Sequence, residues 1–308
     1  MDRNITWMAL GGLMNTAVVL IVAPFFHGVM RKITARIQSR QGPPIWQPYF
    51  DLLKLLGKED IESGQSPPMQ RFAVYLSLAT ALTMACLVPM GLSGPLNFVG
   101  DSILLIYLLT LCSICTLLAG LAAGSTYSLV GISREMMTII TLEPLFAIAI
   151  VVGAIHAQSF RLDKVLNGSV YQTSGFPWSG LVMLAVMLLS FQAFVQRLPF
   201  DITEAETEIM EGPLVEYSGP KLALFKYAQM VRLLVYSAIF VAMFVPWDLG
   251  LTFPVGWLLF WLKVLVLVLL VTLVAATHAR YRIDQAIRYF ASLMAVALTA
   301  LVLASYGY

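Results

Sequence analysis

Eight apolar stretches, each close to the length needed to cross a lipid bilayer, recur along the chain with short polar segments between them. They run from Trp7 to Val29, Ala73 to Met90, Ile103 to Ala123, Met137 to Ala157, Leu181 to Val195, Leu222 to Val245, Val255 to Ala276 and Phe290 to Ser305. A helix takes about 20 residues to span the hydrocarbon core, so the fifth run is the short one. The pattern predicts an all-α polytopic membrane protein of about eight transmembrane helices, organised as a single domain over residues 1–308. Composition agrees: 59% of residues are hydrophobic and only 12% charged, where a soluble domain carries roughly 25% charged residues.

The first run follows one basic residue, Arg3, and lacks a small-x-small cleavage site, so it is expected to stay as the first helix rather than act as a signal peptide. Orientation follows from the basic residues in alternate loops. The loops after runs one, three, five and seven hold 13 Lys and Arg, the opposite side holding Arg3, Arg161 and Lys164. The positive-inside rule then places the first set in the cytoplasm and both termini outside, as in a multi-pass protein of the cell inner membrane. Because topology accounts for the basic residues, the formal charge of +2 gives no indication of nucleic-acid binding.

Two cytoplasmic segments carry distinctive patterns. In the loop 31–71, Tyr49, Leu52, Leu53 and Leu56 recur at helical spacing after a break at Pro43-Pro44, with Asp51 and Lys54 placed for an i, i+3 pair. This suits an amphipathic helix at the membrane surface or against a partner. The segment from Arg197 to Ser218 holds six of the 17 acids: Asp201, Glu204, Glu206, Glu208, Glu211 and Glu216. Pro199, then Asp201 followed three residues later by Glu204, reads as a helix start. A helix from there would align Asp201, Glu204, Glu208 and Glu211 in one stripe. Such a stripe is either a solvated acidic face or, if partly buried, a set of carboxyls raised toward neutral pH and able to exchange protons.

Charges within the apolar runs are costly and should face protein or water. They are Glu143 in the fourth run and Lys263 in the seventh, with Lys226 and Arg232 in the cytoplasmic part of the sixth and Arg134 and Glu135 preceding the fourth. Cys112 and Cys115 form a C-x-x-C inside an apolar run, with no second cysteine pair to complete a cluster site, and read as buried thiols.

Several strings together resemble the subunit 1 family of respiratory complex I and its hydrogenase relatives. They are ARIQSRQGPP (35–44), QPYFDLLKLLGKE (47–59), Gly100-Asp101, GISREMM through LEP (131–144), RLPFDITEAETEIMEGPLVEYSG (197–219), Lys263-Val264 and RYRIDQ (280–285). The short RQGPPIWQP and the form EGPLVEYSG look like the hydrogenase branch, whereas Arg197 and RYRIDQ look like complex I. The resemblance implies the membrane anchor of an energy-converting nickel-iron hydrogenase, of the formate hydrogenlyase subunit 4 type. It implies that this chain binds no cofactor, with the iron-sulfur clusters and the nickel-iron site in partner subunits.

The implied partners are hydrogenase large and small subunits, iron-sulfur subunits of a peripheral arm docked on loops 31–71 and 197–221, and antiporter-like membrane subunits. The implied coupling residues are Glu143, Asp201, Glu204, Glu206, Glu208, Glu211, Glu216 and Lys263. Arg36, Arg40, Asp51, Lys54, Arg134, Arg197, Arg280, Arg282 and Asp284 would pair ions or dock the arm. Phe194 and Gln229 stand where relatives carry carboxylates, which narrows any proton route. A quinone-reducing complex I-type enzyme is the alternative. A stand-alone transporter would need repeats or broken helices around a midplane site, and no repeat is visible.

Overall fold

The computed structural model describes residues 2–61, 66–91, 100–172, 176–247 and 254–307; the side chains of residues 2–10, 12 and Glu206 lie outside the described set. Eleven helices account for most of the described chain: α1 Asp2–Ile37, α2 Gln47–Leu56, α3 Pro67–Leu87, α4 Ser102–Ala123, α5 Thr126–Ala157, α6 Leu162–Val165, α7 Trp178–Phe194, α8 Glu206–Ile209, α9 Gly219–Phe244, α10 Val255–Thr277 and α11 Ile283–Ser305. All eight apolar runs are helical. Seven of the helices are long and apolar enough to cross a membrane, and the eighth, α7, has 17 residues.

Three helices outrun their apolar stretch by seven residues or more at one end. α1 continues to Ile37, eight residues past Val29, and α5 begins at Thr126 rather than near Met137. α11 likewise starts at Ile283, where the Arg282 backbone N–H donates to Gln285 Oε1 (3.2 Å) and the exposed Asp284 sits at the positive end of the helix. Polar side chains in the extended turns of α1 and α5 find partners, Arg31 at Asp51 and Arg134 at Glu208, which hydropathy alone does not register.

Most of α9 is surrounded by the other helices: every residue from 231 to 244 is buried. It packs against α1, α3, α10 and α2, while α5, α7 and α11 form a second group joined to it through Phe146, Phe194 and Tyr236. α7 has a consequence for the site. Its 17 residues reach only about 25 Å, less than the roughly 30 Å core, and the chain turns at Gln196 and Arg197. Irregular backbone at that depth is tolerated when it is buried in protein. Gln192 Nε2 caps the turn by donating to the carbonyls of Leu198 and of Val271 in α10, the latter at 2.9 Å.

α2 lies where the sequence places an amphipathic helix, starting at Gln47 after the Pro43-Pro44 break. One detail differs. Asp51 pairs with Arg31 of α1 (2.8 Å) and accepts from Gln47 Nε2 (2.9 Å), rather than forming its ion pair with Lys54. Folding α2 back against α1 puts a guanidinium closer than the i+3 ammonium can come.

Candidate functional site

The acidic segment does not form one helix. Residues 201–205 are turns, α8 is a single turn, and Ala205, Met210 and Glu211 have positive φ (20°, 51° and 69°). At Gly212 the φ is 53° and a Cβ would lie 2.3 Å from the Thr203 carbonyl oxygen, so the loop closes on itself only with glycine there. The expected stripe of four carboxylates is therefore dispersed, and each member meets a donor from outside the loop. Asp201 pairs with Arg280 of the α10–α11 connection (3.3 Å), Glu208 with Arg134 of α5 (2.7 Å) and Glu211 with Lys226 of α9 (3.5 Å), while Glu204 accepts from Gln229 of α9. A straight helix would hold the four acids side by side in repulsion. The folded loop instead buries Ile202, Ala205 and Ile209 and spreads the charges.

Neighbouring motifs fix the loop in place. Arg134 also donates to the Ile202 carbonyl (3.3 Å), and Arg280 to Thr207 Oγ1 (3.0 Å). The Tyr281 amide bonds the Pro199 carbonyl (2.9 Å), and Phe200 packs among Tyr281, Tyr289 and Phe290 with ring centroids 5.0–5.3 Å apart. At the far end, the buried Tyr217 hydroxyl donates to Ala119 of α4 (2.9 Å), and Lys221 pairs with Asp60 (3.2 Å), tying the acidic loop to the segment after α2. The strings RLPFD, RYRIDQ and GKE, separated in sequence, thus meet on one side of the bundle. Arg36, Arg40 and Arg282 are exposed there, Glu216 is half-buried, and the Glu206 side chain lies outside the described residues.

Between α1, α2, the loop and α9 is a cavity of about 570 Å³. Its wall carries six cations, Arg31, Lys54, Lys58, Arg197, Lys226 and Arg232, and four carboxylates, Asp51, Asp201, Glu204 and Glu211. Beneath it runs a buried polar chain that reading the sequence did not assemble. The Arg232 guanidinium, 5% exposed, donates to Gln196 Oε1; Gln196 Nε2 in turn donates to both oxygens of Glu135 (2.9 and 3.1 Å), itself 2% exposed, and Thr116 of α4 adds a contact at 3.4 Å. Glu135 adjoins two small cavities. One, of about 10 Å³, also touches Glu204 and Gln229; the other, of about 30 Å³, reaches Ser113 and Tyr236. Ser113 hydrogen-bonds Glu143, one of whose oxygens, Oε1, is buried with no hydrogen-bond partner among the described residues. Pro144, next in the chain, removes a helical N–H at the same level. Glu135 was detectable as a carboxylate next to an apolar run, but its place inside α5 depended on the helix starting at Thr126.

Lys263 is placed elsewhere. Its Nζ donates to the carbonyls of Val245 (2.9 Å) and Trp247 (2.6 Å), at the end of α9 opposite the acidic loop, where it caps the helix terminus. α9 has 26 residues, about 39 Å, so the structure does not bring Lys263 to the loop carboxylates.

Glu204 lies in perturbed surroundings. Burial, and then the charge of Asp201, push its carboxyl above the ordinary 4.5, against the opposing pull of Arg197, Gln229 and Arg232. A carboxyl raised in the folded state binds its proton more tightly there than in the unfolded chain. Its contribution is therefore present below pH 4.5 and lost as pH rises through the folded value. Resistance of the loop to limited proteolysis should accordingly fall as pH is raised from 4.5 toward neutrality, and Glu204→Gln should flatten that slope. An unchanged slope in the variant would assign it to another group.

The family model described as NADH dehydrogenase matches residues 11–305. The chain belongs to that family. Within the NADH dehydrogenase family it is 34% identical over 278 residues to hydrogenase-4 component C of Escherichia coli (strain K12), covering 89% of this chain and 87% of the relative. It is 34% identical over 282 residues to formate hydrogenlyase subunit 4 of the same organism, covering 88% and 91%. It is also 34% identical over 276 residues to NADH-ubiquinone oxidoreductase chain 1 of Paracentrotus lividus, covering 87% and 84%. Among solved structures, a chain of the membrane-bound sulfane sulfur reductase, an archaeal respiratory membrane complex, superimposes with a TM-score of 0.86 at 26% identity, covering 96% of this chain and 99% of that one. This chain is accordingly a membrane subunit of a complex I-like or hydrogenase-like assembly, and its site is a loop-covered cavity above the buried carboxylate of Glu135.

Proposed function

We propose that this chain is the membrane-anchoring and coupling subunit of an energy-converting nickel-iron hydrogenase, linking electron transfer in a peripheral arm to proton or sodium movement. The observation that carries this reading is the near full-length likeness to two hydrogenase-complex subunits. Loops 31–71 and 197–221 face the same side and would dock the arm, which supplies the iron-sulfur and nickel-iron chemistry. That side is the cytoplasm, and both termini are outside. Antiporter-like subunits in the membrane would carry the ions.

This chain's own part is electrostatic. A change of charge in the docked arm alters the balance among Asp201, Glu204, Glu208 and Glu211 and the cations they meet. Glu204, already disposed to hold a proton, is the group that responds first. Glu135 is the next carboxylate inward, sharing a cavity with Glu204, and Glu143 the one after, reached past Ser113. A cavity of about 30 Å³ is of a size to hold a water. Glu143→Gln removes the last titrating member while keeping the shape. It should lower the ions moved per electron while leaving assembly and hydrogen evolution intact; unchanged pumping would take Glu143 out of the route.

A quinone-reducing complex I-type enzyme is the second reading, favoured by the cavity of about 570 Å³ and the likeness to NADH-ubiquinone oxidoreductase chain 1 of Paracentrotus lividus. The two separate in one preparation isolated gently through a tag on this chain. Stoichiometric nickel with hydrogen evolution supports the first, and iron without nickel together with quinone reduction supports the second.

A further inference from the structure

α2 has two faces with different surroundings. Pro48, Asp51, Leu52 and Leu55 line the cavity. On an arc roughly opposite, at about 100° per residue, Phe50 (60% exposed), Leu53 (65%) and Leu56 (47%) continue from Trp46 (58%) and point away from the protein. Lys54 on the polar side of α2 and Lys58 just past its end are both exposed and line the cavity, and neither forms an ion pair among the described residues.

The depth of this helix is fixed by its contacts with α1. The Tyr49 hydroxyl donates to the Ile21 carbonyl, the Trp46 ring lies 5.7 Å from that of Phe25, and Ile45 packs on Gly28. These contacts run from Ile21 to Gly28, the C-terminal part of the apolar run of α1, and the Arg31–Asp51 pair lies just beyond it. That position suits the boundary between hydrocarbon and water, which would turn the apolar face of α2 toward lipid and put Lys54 and Lys58 at headgroup level.

We infer that α2 and the cavity mouth form a binding site for an anionic phospholipid, its phosphate held by Lys54 and Lys58 and its acyl chains covering Phe50, Leu53 and Leu56. Two cations with no ion-pair partner among the described residues favour a negative headgroup over a neutral one, and the continuous apolar face requires acyl chains as well as an anion. Basic residues at a membrane surface contribute about 1 kcal/mol each toward anionic lipid, so removing two corresponds to about thirtyfold at 1.4 kcal/mol per tenfold. The inference does not depend on which redox reaction the assembly performs.

The test uses the complex isolated in detergent, stripped of lipid and titrated with phosphatidylglycerol or phosphatidylcholine, with bound lipid counted by native mass spectrometry. Phosphatidylglycerol should be preferred, and the K54Q/K58Q complex should bind it about thirtyfold more weakly with its phosphatidylcholine binding unchanged. Inorganic phosphate at millimolar concentration should not displace the lipid. In the otherwise unaltered complex in native membranes, a photoreactive residue at position 53 should label lipid. Equal binding of the two lipids, no effect of the double substitution, displacement by phosphate, or labelling of a partner subunit at position 53 would each overturn the assignment.

Discussion

Replacing Arg232 with methionine is expected to destabilise the bundle by about 3 to 5 kcal/mol, because it leaves Glu135 as a buried carboxylate without its counter-charge. Both groups are almost wholly inaccessible, at 5% and 2%, and Gln196 joins them with its amide oxygen toward Arg232 and its amide nitrogen toward Glu135. That orientation fits only while a donor stands on one side and an acceptor on the other. Glu135→Met strands the guanidinium and should cost a similar amount. Removing both at once should cost much less than the sum, since a buried pair replaced by apolar side chains of like volume is often neutral. Thermal unfolding of the detergent-solubilised complex, with the fraction of chain found in the assembly, measures all three variants. Additive losses in the double variant would mean that the two residues serve separate partners.

The next largest effect is expected at Gly28. A Cβ there would lie 1.9 Å from the Ile45 carbonyl oxygen and 2.8 Å from its carbon. Both are backbone atoms and cannot rotate aside, so Gly28→Val must push the segment before α2 off α1. The cost should reach about 3 kcal/mol, the upper part of the usual overpacking range, and it falls on the loop rather than on the bundle. Tyr49 would lose its bond to Ile21, Arg31 its pair with Asp51, and the cavity one of its walls. The expected result is a chain that still inserts in the membrane but yields little peripheral arm on affinity purification, with rapid protease cleavage near Leu56. Retention of the arm at the level seen without the substitution would show that loop 31–71 is not part of the docking surface.

The charged residues show how much of the site was legible in advance. The acidic cluster, its side of the membrane relative to the basic loops, and the presence of cations to pair with it all follow from the order of residues. The pairing itself does not. Asp201 meets Arg280, 79 residues away, and Glu208 meets Arg134 at a separation of 74. No periodicity within the loop carries that information, and a helix start at Asp201 is the natural local reading until burial of Ile202 and Ala205 competes with it. Glu135 likewise looked like a boundary residue beside Arg134, because hydropathy ends a span where polar side chains begin. The helix instead continues through them, since Arg134 and Glu135 each find a partner from the turn after α7 or the loop beyond it.

What the sequence determined by itself was the set of helices and the general chemistry: eight apolar runs, an amphipathic helix after Pro43-Pro44, and carboxylates crowded into one loop. These are local properties, because in a membrane the backbone must satisfy its hydrogen bonds within each span and length with hydropathy therefore defines the element. Only the tertiary structure decided which charges neutralise one another, that α7 ends short and lets the loop enter the bundle, that Lys263 caps the far end of α9, and that Glu204, Glu135 and Glu143 succeed one another inward. Those outcomes depend on how close separate helices come, and a single side chain's absence, as at Gly28, sets that distance.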